Sequence, residues 1–190
     1  MKKLLTSAMS YLKFNSKSKN GRCLSNFADL EVQMNGNVFL TGEHAFHFWK
    51  YSNAAYGVPR PGSLDASKNR QREMINYATR FVGSEPIVGS TALDAKRAGG
   101  KKGMKLEPYE LYEWNTLVAE KTQREICEYK FKTYQECRDT LAAAAAAGAI
   151  LIHQDNRANQ YTPWGGKISK EGELVGQNKL GKIWEEYKNV

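Results

Sequence analysis

The stretch LTGEHAFHFWKY, Leu40 to Tyr51, decides how the chain is read. Glu43, His47 and Lys50 stand at i, i+4 and i+7, which sets a carboxylate, an imidazole and an amine on one face of a helix. Thr41 occupies the place of an N-cap hydroxyl, and the spacing predicts a helix from about Glu43 to Asn53. Val38, Phe39, Ala45, Phe46, Phe48 and Trp49 give the segment the apolar mass to lie against a core, so the polar trio is expected to line a cleft. An ordinary half-buried row of surface ion pairs satisfies the same spacing.

Upstream of this helix the chain reads as short extended segments. Asn35-Gly36 is the turn of a hairpin joining Leu30–Met34 to Val38–Leu40. Downstream, the Pro- and Gly-rich segment Tyr56 to Leu64 is a loop. Helices are expected over Asp65–Phe81, Ser90–Arg97 and Pro108–Arg138, the last with Trp114, Leu117, Val118, Ile126, Tyr129 and Phe131 as core. Thr140–Ala149 holds six consecutive alanines and reads as a tightly packed helix ending at Gly148. Ala149 to His153 is a short buried strand, Asp155 to Pro163 a polar loop, and a terminal helix runs through Trp184 and Tyr187. No repeat or linker divides the chain, so one domain spanning residues 1–190 is expected.

Composition limits the partners. With 28 Lys and Arg against 20 Asp and Glu, the net charge is +8. That excess favours a polyanion, such as nucleic acid or a phosphorylated ligand, although the basic residues lie in separate blocks that folding must gather. Cys23, Cys127 and Cys137 are an odd number without a C-x-x-C pair, which argues for a reducing compartment without disulfides or a zinc knuckle. Met1-Lys2-Lys3-Leu4-Leu5 mimics the start of a signal peptide, but the apolar run breaks at Thr6-Ser7. No window approaches a membrane span. The three histidines lack metal-ligand spacing. A cytoplasmic protein that uses neither metal nor cofactor and binds no membrane is expected.

Ala98 to Met104 contains Gly99-Gly100-Lys101-Lys102-Gly103. Such a loop can offer N–H and ammonium groups to a phosphate, yet it lacks P-loop spacing and equally describes a flexible linker. Three further segments look alike in chemical character: Cys23-Leu24-Ser25-Asn26-Phe27, Gly42-Glu43-His44 through Lys50, and Trp164-Gly165 with Gly176 to Gly181. In this order and spacing, with Phe14 and Ser16 before them and Lys130-Phe131 between, they resemble the YbiA-like or NADAR family over nearly the whole chain. Two features depart from that pattern. His153 follows the apolar strand where a glutamate is usual, and the loop Gln154–Pro163 is longer, so no acidic role carries over from that region.

The resemblance implies a YbiA-like fold, which here means an α+β domain, predominantly helical, with a few short N-terminal strands. It implies a hydrolase acting on N-glycosyl bonds. The substrate expected first is ADP-ribosylated guanine in DNA, which the basic balance favours. A phosphorylated ribosyl-base metabolite of riboflavin biosynthesis is the alternative, and a module that binds ADP-ribose or nucleotides without turnover is the non-catalytic one. Glu43 then stabilises oxocarbenium character at C1′ or positions a water. Lys50 is a nucleophile through a Schiff base, or else a structural cation. Trp164, followed by Gly165, is the stacking platform for the base or a core tryptophan. Ser25, Asn26 and Asn178 are expected to hydrogen-bond ribose, phosphate or base, with helix capping the other use for Asn178. Lys96, Arg97, Lys101 and Lys102 receive a diphosphate or a nucleic-acid backbone. Phe14, Ser16, Phe27 and His44 complete the expected pocket, and His47 tunes the Glu43–Lys50 pair or is a satisfied core histidine.

Overall fold

A computed structural model describes residues 10–56 and 64–190. The signal-like start and the middle of the expected loop Tyr56–Leu64 lie outside the described residues. The architecture is α+β and predominantly helical. The chain gathers into two compact units, Ser25–Thr133 and a second unit made of Met1–Leu24 with Tyr134–Val190.

The unit Ser25–Thr133 is built around helix α1, Gly42–Tyr56. After β1 (Tyr11–Phe14) of the other unit in chain order, and ahead of α1, come strands β2 (Val32–Met34) and β3 (Asn37–Phe39), an antiparallel pair. Asn35 and Gly36 both have positive φ, 49° and 78°, as a type I′ hairpin turn requires. Helix α2 (Leu64–Ala78) continues as a 3-10 turn through Phe81, and α3 (Ala92–Gly99) follows. Next are α4 (Pro108–Glu113), a π-helical turn (Trp114–Val118) and α5 (Ala119–Thr133). The apolar faces meet on α1. Ala45 packs with Val32, Phe39 and Ile126, Tyr51 with Ala78, Phe81 and Ala95, and Ala54 and Ala55 with Met74.

The helix expected over Pro108–Arg138 is therefore three segments up to Thr133, followed by the start of another helix from Gln135. Pro108 fits the first helical turn, where its missing N–H costs nothing, and the Glu107–Glu110 capping box fixes the start. The π-turn re-phases the helix, which leaves Leu117 69% exposed instead of in the core. Tyr134 takes extended backbone (φ −106°, ψ 115°) and ends the run before α6, Gln135–Ala146.

In the other unit, β1 (Tyr11–Phe14) pairs in parallel with β4 (Ile150–His153), Tyr11 opposite Ile150 and Phe14 opposite His153. Short strands β5 (Lys167–Ile168) and β6 (Leu174–Val175) pair antiparallel, and α7 (Lys179–Glu185) packs on β4. Trp184 is buried and donates Nε1–H to the Leu24 carbonyl at 2.9 Å. The alanine run does form helix, but of those six only Ala144 is buried with Leu141, so the run is mostly a solvent face chosen for propensity. It ends at Gly148 (φ 57°), with Gly148 N–H bonded to Ala145 O and Ala149 N–H to Ala144 O, a Schellman closure.

Candidate active site

The first turn of α1 is fixed from both sides. Thr41 caps it, its Oγ1 accepting the His44 N–H, and the Asn26 carbonyl takes the Glu43 N–H at 3.1 Å. The His44 ring is buried and bridges outward. Its Nε2–H donates to Gly89 O at 2.9 Å while Nδ1 accepts from the Thr41 hydroxyl at 2.9 Å. Burial lowers the His44 pKa below the ordinary value, in keeping with a neutral ring that uses both nitrogens internally. Within the protein His44 thus positions the start of α1.

Glu43, His47 and Lys50 share one face, as the spacing requires. The His47 Nε2–H points to Glu43 Oε1 at 3.3 Å, and both side chains are nearly covered, 10% and 13% exposed. Lys50 makes no ion pair with Glu43; its Nζ donates to the Gly99 carbonyl at 2.8 Å and lies 5.4 Å from the Tyr51 ring centre. Burial lowers the Lys50 pKa. An amine desolvated in this way gives up its proton more readily, which is the condition for nucleophilic use.

Helix α3 closes over that face. Its N-terminus is a full capping box between Thr91 and Asp94. Its last residue, Gly99, is buried against His47: a Cβ there would stand 2.0 Å from His47 Cγ and 2.1 Å from Nδ1. Only glycine lets the helix end lie on the imidazole while its carbonyl holds Lys50. His47 Nδ1 is buried there with no hydrogen-bond partner among the described residues.

The segment after Leu24 is tied down by α5. Asn26 and Gln123 exchange two amide hydrogen bonds, 2.7 and 2.9 Å, and the buried Lys130 ammonium donates to Ser25 O at 2.9 Å. Ser25 Oγ accepts the Phe27 N–H at 3.2 Å. Phe27 is half-buried, with Lys96 Nζ 5.1 Å above its ring. Loop 25–27, the start of α1 and the end of α3 are thus brought together. Ser25 and Asn26 hold this frame, and the side chains of Phe27, Lys96 and Lys50 stand beside it. Arg97, one residue after Lys96, turns to another edge of α3 beside Tyr77 and Arg80, and Lys101 is exposed in the loop that follows.

The remaining expected residues lie in the other unit. Phe14 is fully buried on β1, its ring 5.4 Å from that of His153, and Ser16 is half-buried in the following turn. Trp164 is half-buried, and its carbonyl accepts from His153 Nδ1 at 3.2 Å and from the Leu180 N–H at 3.3 Å. Asn178 is buried with left-handed backbone, and its amide clamps β4 by accepting the His153 N–H at 3.0 Å and donating to Leu151 O at 2.9 Å. It stands at the N-cap of α7, but its side chain does no capping. The glycines around it have steric reasons: a Cβ on Gly181 would meet Leu151 O at 2.4 Å, and one on Gly176 would meet Gly165 O at 2.5 Å.

The fold is shared with a solved protein. The chain is similar to the NMR structure of the Escherichia coli protein YbiA, at 23% identity, with 95% of this chain and 83% of that chain covered and a TM-score of 0.57. The chain has the YbiA-like fold. No family model matches the sequence, and no curated protein does. Among the described residues no helix is long and apolar enough to cross a membrane, no cluster of His, Cys, Asp and Glu is arranged to hold a metal, and the three buried cysteines are not joined in disulfides. Gly89 and Gln123 help to hold this frame without having been singled out by sequence, and Gly99, read there as part of a phosphate-binding loop, is the last residue of α3. Gly99 carried a signal, since it is the residue at which a helical pattern meets a glycine pair. Gln123 and Gly89 carried none, because their partners are distant in sequence.

Proposed function

We propose that the protein is an N-glycosidase that removes ADP-ribose from guanine in ADP-ribosylated nucleic acid. The observation that carries this is the α1 face itself, where the nearly covered Glu43 carboxylate lies in line with a Lys50 amine whose proton is loosened by burial. Loss of the base from ribose develops positive charge at C1′, which a fixed carboxylate stabilises. Lys50, released from the Gly99 carbonyl and deprotonated, bonds to C1′ as the glycosidic electron pair leaves with the base, and the proton shed by the newly bonded nitrogen passes through solvent to the departing base. Ring opening gives an imine, and water hydrolyses it to free ADP-ribose and the restored amine. His47 holds the carboxylate by its Nε2–H, and Lys96 offers a cation beside Phe27 for the phosphate end. The net charge of +8 supports a polyanionic substrate over a small phosphorylated metabolite.

The test offers the purified protein ADP-ribosylated guanine DNA and the phosphorylated riboflavin-pathway intermediate side by side. Release of ADP-ribose from the first is expected. Turnover of the second alone moves the assignment to the metabolite, and saturable ADP-ribose binding without turnover of either makes the protein a binding module.

A further inference from the structure

Lys96 and Arg97 were expected, with Lys101 and Lys102, to receive a diphosphate or a nucleic-acid backbone, and the helix turns the first two to different edges. Arg97 opens into a cleft of about 440 Å³ on the outer side of α3, lined also by Tyr77, Arg80, Ile87, Asp94 and Lys102. Three cations face one carboxylate there. Asp94 is engaged by the Thr91 hydroxyl at 2.5 Å and reaches Arg97 only at 3.8 Å. Neither Arg80 nor Lys102 has an acidic partner among the described residues. Arg80 is half-buried and held flat, its guanidinium carbon 5.1 Å from the Tyr77 ring centre, and Tyr77 is itself anchored through its hydroxyl to Ala98 O at 2.9 Å. A guanidinium stacked on an anchored ring has its fork already aimed, so binding an oxyanion costs it little side-chain entropy. Ile87, 76% exposed, adds an apolar rim.

We propose that this cleft binds the phosphodiester backbone of the nucleic acid, as a second anchoring site apart from the Glu43–Lys50 face, an assignment that rests on the nucleic-acid substrate proposed above. The open form of the cleft and its spread of three cations suit successive phosphates along a strand. A compact diphosphate is better served by one dense cluster.

The test uses an unmodified, fluorescently labelled 12-nucleotide single strand, so that binding is read without turnover. Anisotropy titrations over 50–200 mM salt compare the wild type with Arg80→Ala/Arg97→Ala/Lys102→Ala. A second variant, Arg97→Glu/Lys102→Glu, leaves the stacked Arg80 in place. Each variant is expected to weaken binding at least tenfold at the lowest salt, and the triple variant to flatten the log–log salt slope by about 2, since each phosphate on a single strand contributes about 0.7. Unchanged affinity and slope overturn the assignment. So does a variant that binds the strand normally but loses ADP-ribose, which would place the substrate diphosphate in the cleft. Strand binding that depends on these cations, in a protein inert toward both glycosidic substrates, would defeat the proposed activity and leave the cleft standing.

Discussion

Gly99→Ala probes the frame of the site most sharply. The new methyl would stand 2.0 Å from His47 Cγ, 2.1 Å from Nδ1 and 2.4 Å from Cδ2, so the ring or the end of α3 must shift. Overpacking of this kind costs about 1–3 kcal/mol. Alanine recovers at most ~1 kcal/mol of helix propensity, and less at the last residue of a helix. A net loss of about 1–2 kcal/mol is expected from these opposing terms. If the clash with His47 is the cause, removing the imidazole abolishes it. Gly99→Ala in a His47→Ala background should then be neutral or slightly stabilising, a coupling of about 1–3 kcal/mol between residues in contact. Urea denaturation of the four proteins of the cycle measures it. An equal cost of Gly99→Ala in both backgrounds would refute the close approach of α3 to His47, and with it the account of how Lys50 is held.

Lys50 provides a pH test. Its folded pKa lies below the ordinary lysine value of 10.5, so below the folded value its buried charge weighs against the fold. Between the two values the unfolded chain binds more protons, and stability gains from this group as pH rises toward 10.5. The stability advantage of Lys50→Met over wild type should shrink across that alkaline window, and a difference independent of pH would show that the amine is not desolvated. Asn178→Gly keeps the left-handed backbone but strands Leu151 O and the His153 N–H. The expected loss is about 2–4 kcal/mol by chemical denaturation, and a loss near zero would mean that the clamp on β4 is idle. Borohydride added during turnover should trap a ribosyl adduct on the peptide carrying Lys50, absent in Lys50→Arg. An adduct that persists in that variant would assign the nucleophile elsewhere.

Much of the fold was legible because local chemistry is strong where it matters. Asn35-Gly36 demands positive φ at both turn positions, and the 3.6-residue period of Glu43, His47 and Lys50 admits one helix face. Gly148 closes the alanine helix through a motif that depends on that glycine. What was not legible depends on tertiary partners. The parallel pairing of Tyr11–Phe14 with Ile150–His153 joins segments from opposite ends of the chain, and no periodicity encodes it. The π-turn at Trp114–Val118 and the break at Tyr134 interrupt a sequence whose residues are all tolerable in an α-helix. At the site, the helix carrying Glu43, His47 and Lys50 was legible, but Ser25, Asn26 and Asn178 have hydrogen-bonding groups committed to the frame, a fact visible only with their partners in place. The separation of Lys96 from Arg97 was within reach, since neighbours on a helix point about 100° apart.

If Glu43 on α1 carries glycosidic cleavage, ADP-ribose release from ADP-ribosylated guanine DNA must differ between wild type and Glu43→Gln. Glutamine preserves shape and the contact with His47 but removes the charge that C1′ needs. A rate lowered about 10²–10³-fold or more, in a variant whose unfolding midpoint matches the wild type, is predicted. Release by Glu43→Gln at the wild-type rate would contradict the account.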